Sequence, residues 1–204
     1  QAQGGRVKIG HAGTLDPLAT GILILATGKM TKQIENLQTH TKEYVATMQL
    51  GATTPSYDME HEENEKFPTE HITRELIEEK LQHFVGDIEQ IPPTYSAVKV
   101  NGQRAFDYRR RGDDVVLKPK KIRIDEIEII SFDNEKMQLT VRVVCGKGTY
   151  IRALARDLGR TLNSGAYLVA LRRTQVGEIK VEQCVNYDHF QEWLNQQNIE
   201  KIDK

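Results

Sequence analysis

Between Leu139 and Leu162 the apolar residues change period, and this change constrains the fold more than any other feature of the chain. Leu139 to Cys145 alternates apolar and polar side chains, the pattern of a strand with one buried face. After Gly146-Lys147-Gly148-Thr149, the residues Ile151, Leu154, Ala155, Leu158 and Leu162 recur at helical spacing, with Arg152, Arg156 and Arg160 on the polar face. Upstream, Lys121 to Ile130 puts Ile122 and Ile124 on one phase and Ile127 and Ile129 on the other, which predicts a bulged strand antiparallel to 139–145. Glu43 to Leu50 and Leu168 to Val176 read as further strands. The longest aliphatic stretch, Ile22 to Ala26, suits a buried strand, preceded by a short extended segment from Arg6 to Ile9. Thr73 can N-cap a helix with Leu76, Ile77, Leu81, Phe84 and Val85 on one face and Gly86 just past its end. Shorter helices are expected at Thr31–Leu37 and Tyr187–Leu194, and Asn101-Gly102 is a tight-turn signal after the break at Pro92-Pro93. Strands and helices interleave without repeats or a low-complexity linker, so the expected fold class is α+β (mixed α/β) in a single domain over 1–204. A length of 204 residues fits that, at roughly 100–200 residues per domain.

No run approaches the roughly 18 consecutive apolar residues of a membrane helix. The start, QAQGGRVKIG, has no apolar core of a signal peptide. Two cysteines are too few for a disulfide framework or a four-thiolate metal site, so a reducing cytoplasm is the expected setting.

With 28 Lys and Arg against 29 Asp and Glu, the chain is near neutral, but its charge is segregated. Residues 56–90 carry three basic against eleven acidic side chains, residues 99–123 nine against three, and residues 142–180 eight against two. Two basic segments brought to one face would make the electrostatic footprint of a nucleic-acid site; the plainer alternative is solvated faces of ordinary elements.

Asp16 is the carboxylate most suited to chemistry. It stands in the small-residue stretch from Gly10 to Gly21, where glycines at 10, 13 and 21 allow close approach of a ligand and Pro17 stiffens the chain behind it. An aspartate held this way can be a nucleophile or general base, and it can equally be the first residue of an Asp-Pro turn. No His, Asp and Glu set stands at ligand spacing, so no metal site is expected.

The stretch KIGHAGTLDPLATGILILATGKMTK, from Lys8 to Lys32, resembles the signature of the TruB family of tRNA pseudouridine synthases. Three further stretches agree in order: Lys42-Glu43-Tyr44 followed by Leu50-Gly51; IPPTYSAVKVNGQRAFDYRRRG, from Ile91; and CGKGTYIRALARDLG, from Cys145, with ALRRTQVG, from Ala170. The resemblance implies the pseudouridine-synthase fold, a central mixed, largely antiparallel sheet flanked by helices, with a basic RNA-grasping insertion at about 91–120. It implies isomerisation of uridine 55 in the T-loop of tRNA, in which the base is flipped out, detached, rotated and rejoined through carbon, without cofactor or metal. Asp16 would start the chemistry by attack on the ribose or by opening a glycal-type route, with Arg152 as its ion partner. His11, Tyr44, Tyr150 and Leu171 would line the base pocket, Tyr44 also being a candidate for the final proton removal. Lys99, Arg104, Arg109, Arg110, Arg111, Arg172 and Arg173 would meet the RNA backbone. A monomer with tRNA as its partner follows from the same likeness, as does a second possibility, a tRNA-binding or folding factor without turnover.

Three departures bear on these expectations. The Lys-Pro…Gly…Thr-Ser strand that usually precedes the aspartate loop has no counterpart here, and 24 residues after Lys180 leave no room for a separate C-terminal RNA-binding domain. His61 stands where a glycine is common, leaving the shape of the loop after Gly51-Ala52-Thr53-Thr54-Pro55-Ser56-Tyr57-Asp58 open.

Overall fold

The computed structural model describes residues 7–96, 98–100, 102–111 and 117–197. Its centre is β4 (Lys42–Leu50), hydrogen-bonded on one side to β11 (Gln138–Cys145) and on the other to β12 (Ala166–Val176), both antiparallel. Beyond β11 lie β10 (Lys120–Asp133) and β7 (Gly86–Gln90); beyond β12 lies β13 (Ile179–Lys180). The three-residue β2 (Ala19–Gly21) joins β12 in parallel, so the seven-stranded sheet is mixed but largely antiparallel, as expected. β10 is bulged between Ile124 and Glu126 and again between Ile129 and Ser131, which lets its isoleucines change phase.

Strand alternation builds the core. Ala46, Met48 and Leu50 of β4 and Leu139, Val141, Val143 and Cys145 of β11 point to one face and are buried there. Helix α4 (Ile151–Thr161) returns over that face with Leu154, Leu158 and, past its end, Leu162, while α2 (Arg74–Leu81) adds Ile77 and Leu81. Thr73 caps α2 by accepting the Leu76 amide at 3.2 Å. This helix stops sooner than its spacing suggests: Gln82–Phe84 tightens into a 3-10 turn and Val85 is extended and exposed.

The N-terminal elements are displaced from their expected places. β1 (Ile9–Ala12) begins where the extended segment was to end, and it pairs with β3 (Ile24–Thr27) rather than with the main sheet. The aliphatic stretch is not a buried strand: Ile22 and Ala26 are buried while Leu23 and Leu25 face solvent. α1 (Ile34–Thr39) follows a 3-10 turn and ends on the Lys42 side of β4. The segment 51–66 contributes only the short pair β5 (Ala52–Thr53) and β6 (Glu65–Lys66). β8 (Lys99–Val100) and β9 (Gln103–Arg104) pair antiparallel; Asn101 of the expected turn lies outside the described residues, and a helix not anticipated there, α3 (Ala105–Arg110), follows at once. α5 (Phe190–Gln196) is the last helix among the described residues. No helix among the described residues is long and apolar enough to cross a membrane.

Candidate active site

Asp16 opens a tight turn, its carbonyl accepting the Ala19 amide at 2.8 Å with Pro17 inside. The turn and the chemical role are thus compatible. What fixes the carboxylate is Arg152, whose Nε donates to Oδ2 at 3.0 Å and Nη2 to Oδ1 at 2.8 Å, a bidentate pair. The arginine sits in the first turn of α4 and is only 4% exposed, while the Asp16 side chain keeps 29% of its surface open. A buried guanidinium beneath a half-open carboxylate leaves the anion oriented and accessible.

Arg152 has further partners that sequence reasoning missed. Nη1 donates to the Ser56 carbonyl at 3.2 Å and lies 3.5 Å from Asp58 Oδ2; Nη2 also donates to the Tyr95 carbonyl at 3.0 Å. Asp58 is wholly buried, and its other oxygen accepts from the Ser56 hydroxyl at 2.5 Å and the Glu60 amide at 3.0 Å. One arginine therefore joins two aspartates, from the loop before β2 and the loop after β5. The Gly51–Asp58 stretch was recognisable in the sequence, but nothing in its spacing marked Asp58 as a partner of Arg152.

The cleft around this pair has a volume of about 1010 Å³, and His11, Tyr44, Tyr150, Leu171, Ser96 and Lys147 are among its walls. Tyr44 projects from the core face of β4, beside Arg173 in register on β12. Burial pushes the Tyr44 phenol above its usual value, with Cys145 and Asp16 adding to this and Arg173 opposing it. Burial likewise raises the Tyr150 phenol, with Arg152 opposing. Both phenols are therefore protonated at neutral pH. Tyr150 N-caps α4 without a side-chain cap; instead Gln90 clamps its backbone, accepting its amide at 2.9 Å and donating to its carbonyl at 3.1 Å. Leu171, 6% exposed, is both core and cleft wall. Lys42 lines the far side, its ammonium bound by the Gln38 and His40 carbonyls at 2.5 and 2.6 Å, and burial lowers its pKa.

The basic residues divide. Arg172 is exposed, and strand alternation between Leu171 and Arg173 turns it to the sheet face opposite the cleft. Arg173 is not available to an RNA backbone: it is 1% exposed, and it donates to the Ile22 carbonyl at 2.8 Å and the Gly13 carbonyl at 3.2 Å, bracing both ends of the Asp16 loop. Arg156, on what the helical spacing made a polar face, is 7% exposed and donates to Asp157 and the Ile91 carbonyl. Arg111 donates to Gln103 at 2.8 Å. Lys99, Arg104, Arg109 and Arg110 belong to β8, β9 and α3, and their side chains lie outside the described residues. Among the described residues no group of three or more His, Cys, Asp or Glu could hold a metal ion.

A mixed, largely antiparallel sheet that holds an oriented, half-open aspartate in an aromatic cleft is the arrangement of an enzyme site, and comparison with known proteins gives it a family. Residues 2–151 match the model of the TruB family pseudouridylate synthase N-terminal domain, and residues 152–204 that of the tRNA pseudouridylate synthase B C-terminal domain. The two matches meet within the first turn of α4, while the sheet runs on across the boundary through the β4–β12 pairing. The chain is 60% identical to the tRNA pseudouridine synthase B of Phocaeicola vulgatus, covering 97% of this chain and 83% of that protein, and 48% identical to that of Flavobacterium johnsoniae, covering 93% and 82%. Among solved structures it resembles a chain of a Cbf5-Nop10-Gar1 complex, with a TM-score of 0.63 and 28% identity over 93% of this chain and 49% of that one. It also resembles a chain of an H/ACA RNP bound to a substrate RNA containing 2'-deoxyuridine, with a TM-score of 0.61 and 25% identity over 94% and 48%. The chain belongs to the TruB family.

Proposed function

We propose that the protein converts uridine 55 in the T-loop of tRNA to pseudouridine, with Asp16 as the residue that starts the reaction. The observation that carries this is the bidentate Asp16–Arg152 pair at the floor of an aromatic cleft, in a chain 60% identical to a tRNA pseudouridine synthase B. The uridine must leave its stack to reach the carboxylate, at a cost of a few kcal/mol, and the Tyr44 ring with the Leu171 wall offers the flipped base a replacement surface. Attack at C1′ and removal of the C2′ proton both start from the same oriented oxygen, and either frees uracil from its N1–C1′ bond. The detached uracil anion stays inside the cleft and turns, and its C5 bonds to C1′ as the Asp16–C1′ bond breaks or, on the other route, as C2′ takes its proton back from Asp16; loss of the C5 proton and uptake of one proton at N1 then restore the aromatic ring and leave Asp16 a carboxylate again. Arg152 stays protonated and holds Asp16 in one orientation throughout. His11 enters the T-loop as the base leaves it, a role that its exposure on β1 at the cleft rim supports.

The test is Asp16→Asn assayed on a T-stem-loop RNA. It should abolish pseudouridine formation while leaving RNA affinity within about threefold, since the amide keeps the shape and loses only the reacting anion. Near-normal turnover in that variant would refute the assignment, and tight binding by the unmodified chain without any product would favour a tRNA-binding factor instead.

A further inference from the structure

His61, in the loop between β5 and β6, connects the two backbone segments that hold Arg152. Its Nδ1 lies 2.9 Å from Ser56 Oγ, and its ring packs on Tyr95 at 4.8 Å between centroids, tilted by 53°. Ser56 and Tyr95 are the residues whose carbonyls accept from the Arg152 guanidinium. The Ser56 hydroxyl has one proton, and it is directed at the Asp58 carboxylate at 2.5 Å, so the same oxygen accepts from the imidazole and Nδ1 carries the ring proton. The hydrogen bonds thus run in one direction, from His61 to Ser56 to Asp58, and Asp58 Oδ2 faces Arg152 Nη1. The imidazole is exposed and lines the cleft, so it is no core residue whose place is set by burial alone.

We infer that His61 is a positioning residue for the reaction: it staples the 56–61 loop to the 91–96 loop around Arg152 and so fixes the geometry of the Asp16–Arg152 pair. This rests on the function proposed above. Without the staple, the Ser56 hydroxyl loses the donor that fixes its orientation, and the Tyr95 ring loses its packing on the imidazole. The guanidinium keeps its bond to Asp16 but gains freedom about it, and a misplacement of the reacting group is felt in rate before it is felt in binding.

The experiment compares His61→Ala, His61→Asn and the parent chain in single-turnover conversion of a T-stem-loop RNA, with RNA affinity and thermal unfolding measured alongside. The alanine variant should convert about tenfold more slowly, the loss of roughly one hydrogen bond of positioning, with affinity within about twofold. Asparagine, whose side-chain amide can stand where Nδ1–H stood, should recover part of the rate. A rate for the alanine variant equal to the parent's would overturn the inference. So would a loss confined to RNA affinity, which would make His61 a contact, or an asparagine variant no better than alanine with both unfolding at lower temperature. The Nε–Hε NMR signal of Arg152 gives a readout that needs no turnover: it should shift or broaden in His61→Ala and return toward its position in His61→Asn. An unchanged signal overturns the staple even if the parent chain proves inactive, whereas a shifted signal with no product from the parent leaves the staple standing and refutes the proposed function.

Discussion

At the scale of single residues, the Asp16–Arg152 pair and the residues that wall its cleft were legible in the sequence, and the groups that hold Arg152 and Tyr150 from behind were not. A carboxylate in a stretch of small residues and an arginine just past a strand-to-helix turn each stand out along the chain. Asp58, Ser56, Tyr95 and Gln90 reach the same few ångströms only after folding, and each lies among residues that an acidic loop or a proline-rich turn would contain anyway. Arg173 was misassigned for a related reason: an arginine in a basic block looks solvated until its carbonyl partners are known. Tyr44 shows how environment bears on a proposed role. Burial raises its phenol, so the phenolate fraction is small at neutral pH and grows as pH rises toward the raised value. If the hydroxyl takes up the C5 proton, wild-type single-turnover rates should rise with pH above neutrality and Tyr44→Phe should lose that rise along with about 100-fold in rate at neutral pH. Tyr44→Leu, which removes the stacking face as well, should be slower still. A phenylalanine variant with the parent's rate and pH profile would remove Tyr44 from the proton transfer and leave it a stacking surface.

At the scale of elements, the long strands and both packed helices follow from period and capping, because one buried face repeats over enough residues to dominate local preference. Elements of two to six residues do not carry that signal. β2 exists because it pairs with β12, and α3 follows a hairpin too closely for its spacing to show. β2 nevertheless positions the site, since it ends the Asp16 loop against Arg173. Gly21 has φ of 93°, and a Cβ there would lie 2.1 Å from the Arg173 carbonyl oxygen, which is backbone and has no room to move. Gly21→Ala should therefore lower stability by about 2–4 kcal/mol, from left-handed strain together with a backbone clash, and should reduce turnover beyond what the stability change explains. Denaturant unfolding together with rates taken well below the unfolding midpoint would check this. A variant within about 0.5 kcal/mol of the parent would show that the β2–β12 approach is looser than described.

At the scale of the whole molecule, segregated charge suggested an RNA face, and burial changes which charges can serve it. Of the basic side chains in 142–180, Arg152, Arg156 and Arg173 are buried, and Arg142 is bound by Glu43, Glu126 and Glu128 at 2.7, 2.8 and 3.2 Å. Lys147, Arg160, Arg172 and Lys180 remain exposed, and of these Lys147 lines the cleft, while Arg172 projects from the opposite face of the sheet. Counting charge along the chain therefore overstates the field that this segment offers to a polyanion, and only residues that displace counterions from phosphates enter the salt dependence of binding. Affinity for a T-stem-loop should fall linearly with log salt, at a slope of about 0.7–0.9 per phosphate neutralised. Lys147→Ala should flatten that slope by up to about one and weaken binding at low salt more than at high salt, and Arg172→Ala, on the opposite sheet face, should flatten it less. Arg142→Ala should leave the slope unchanged, since its charge is already matched within the sheet, although it strands three glutamates and should cost stability. Equal effects of all three substitutions on the slope would mean that net charge, rather than the placement of exposed cations at the cleft, governs RNA binding.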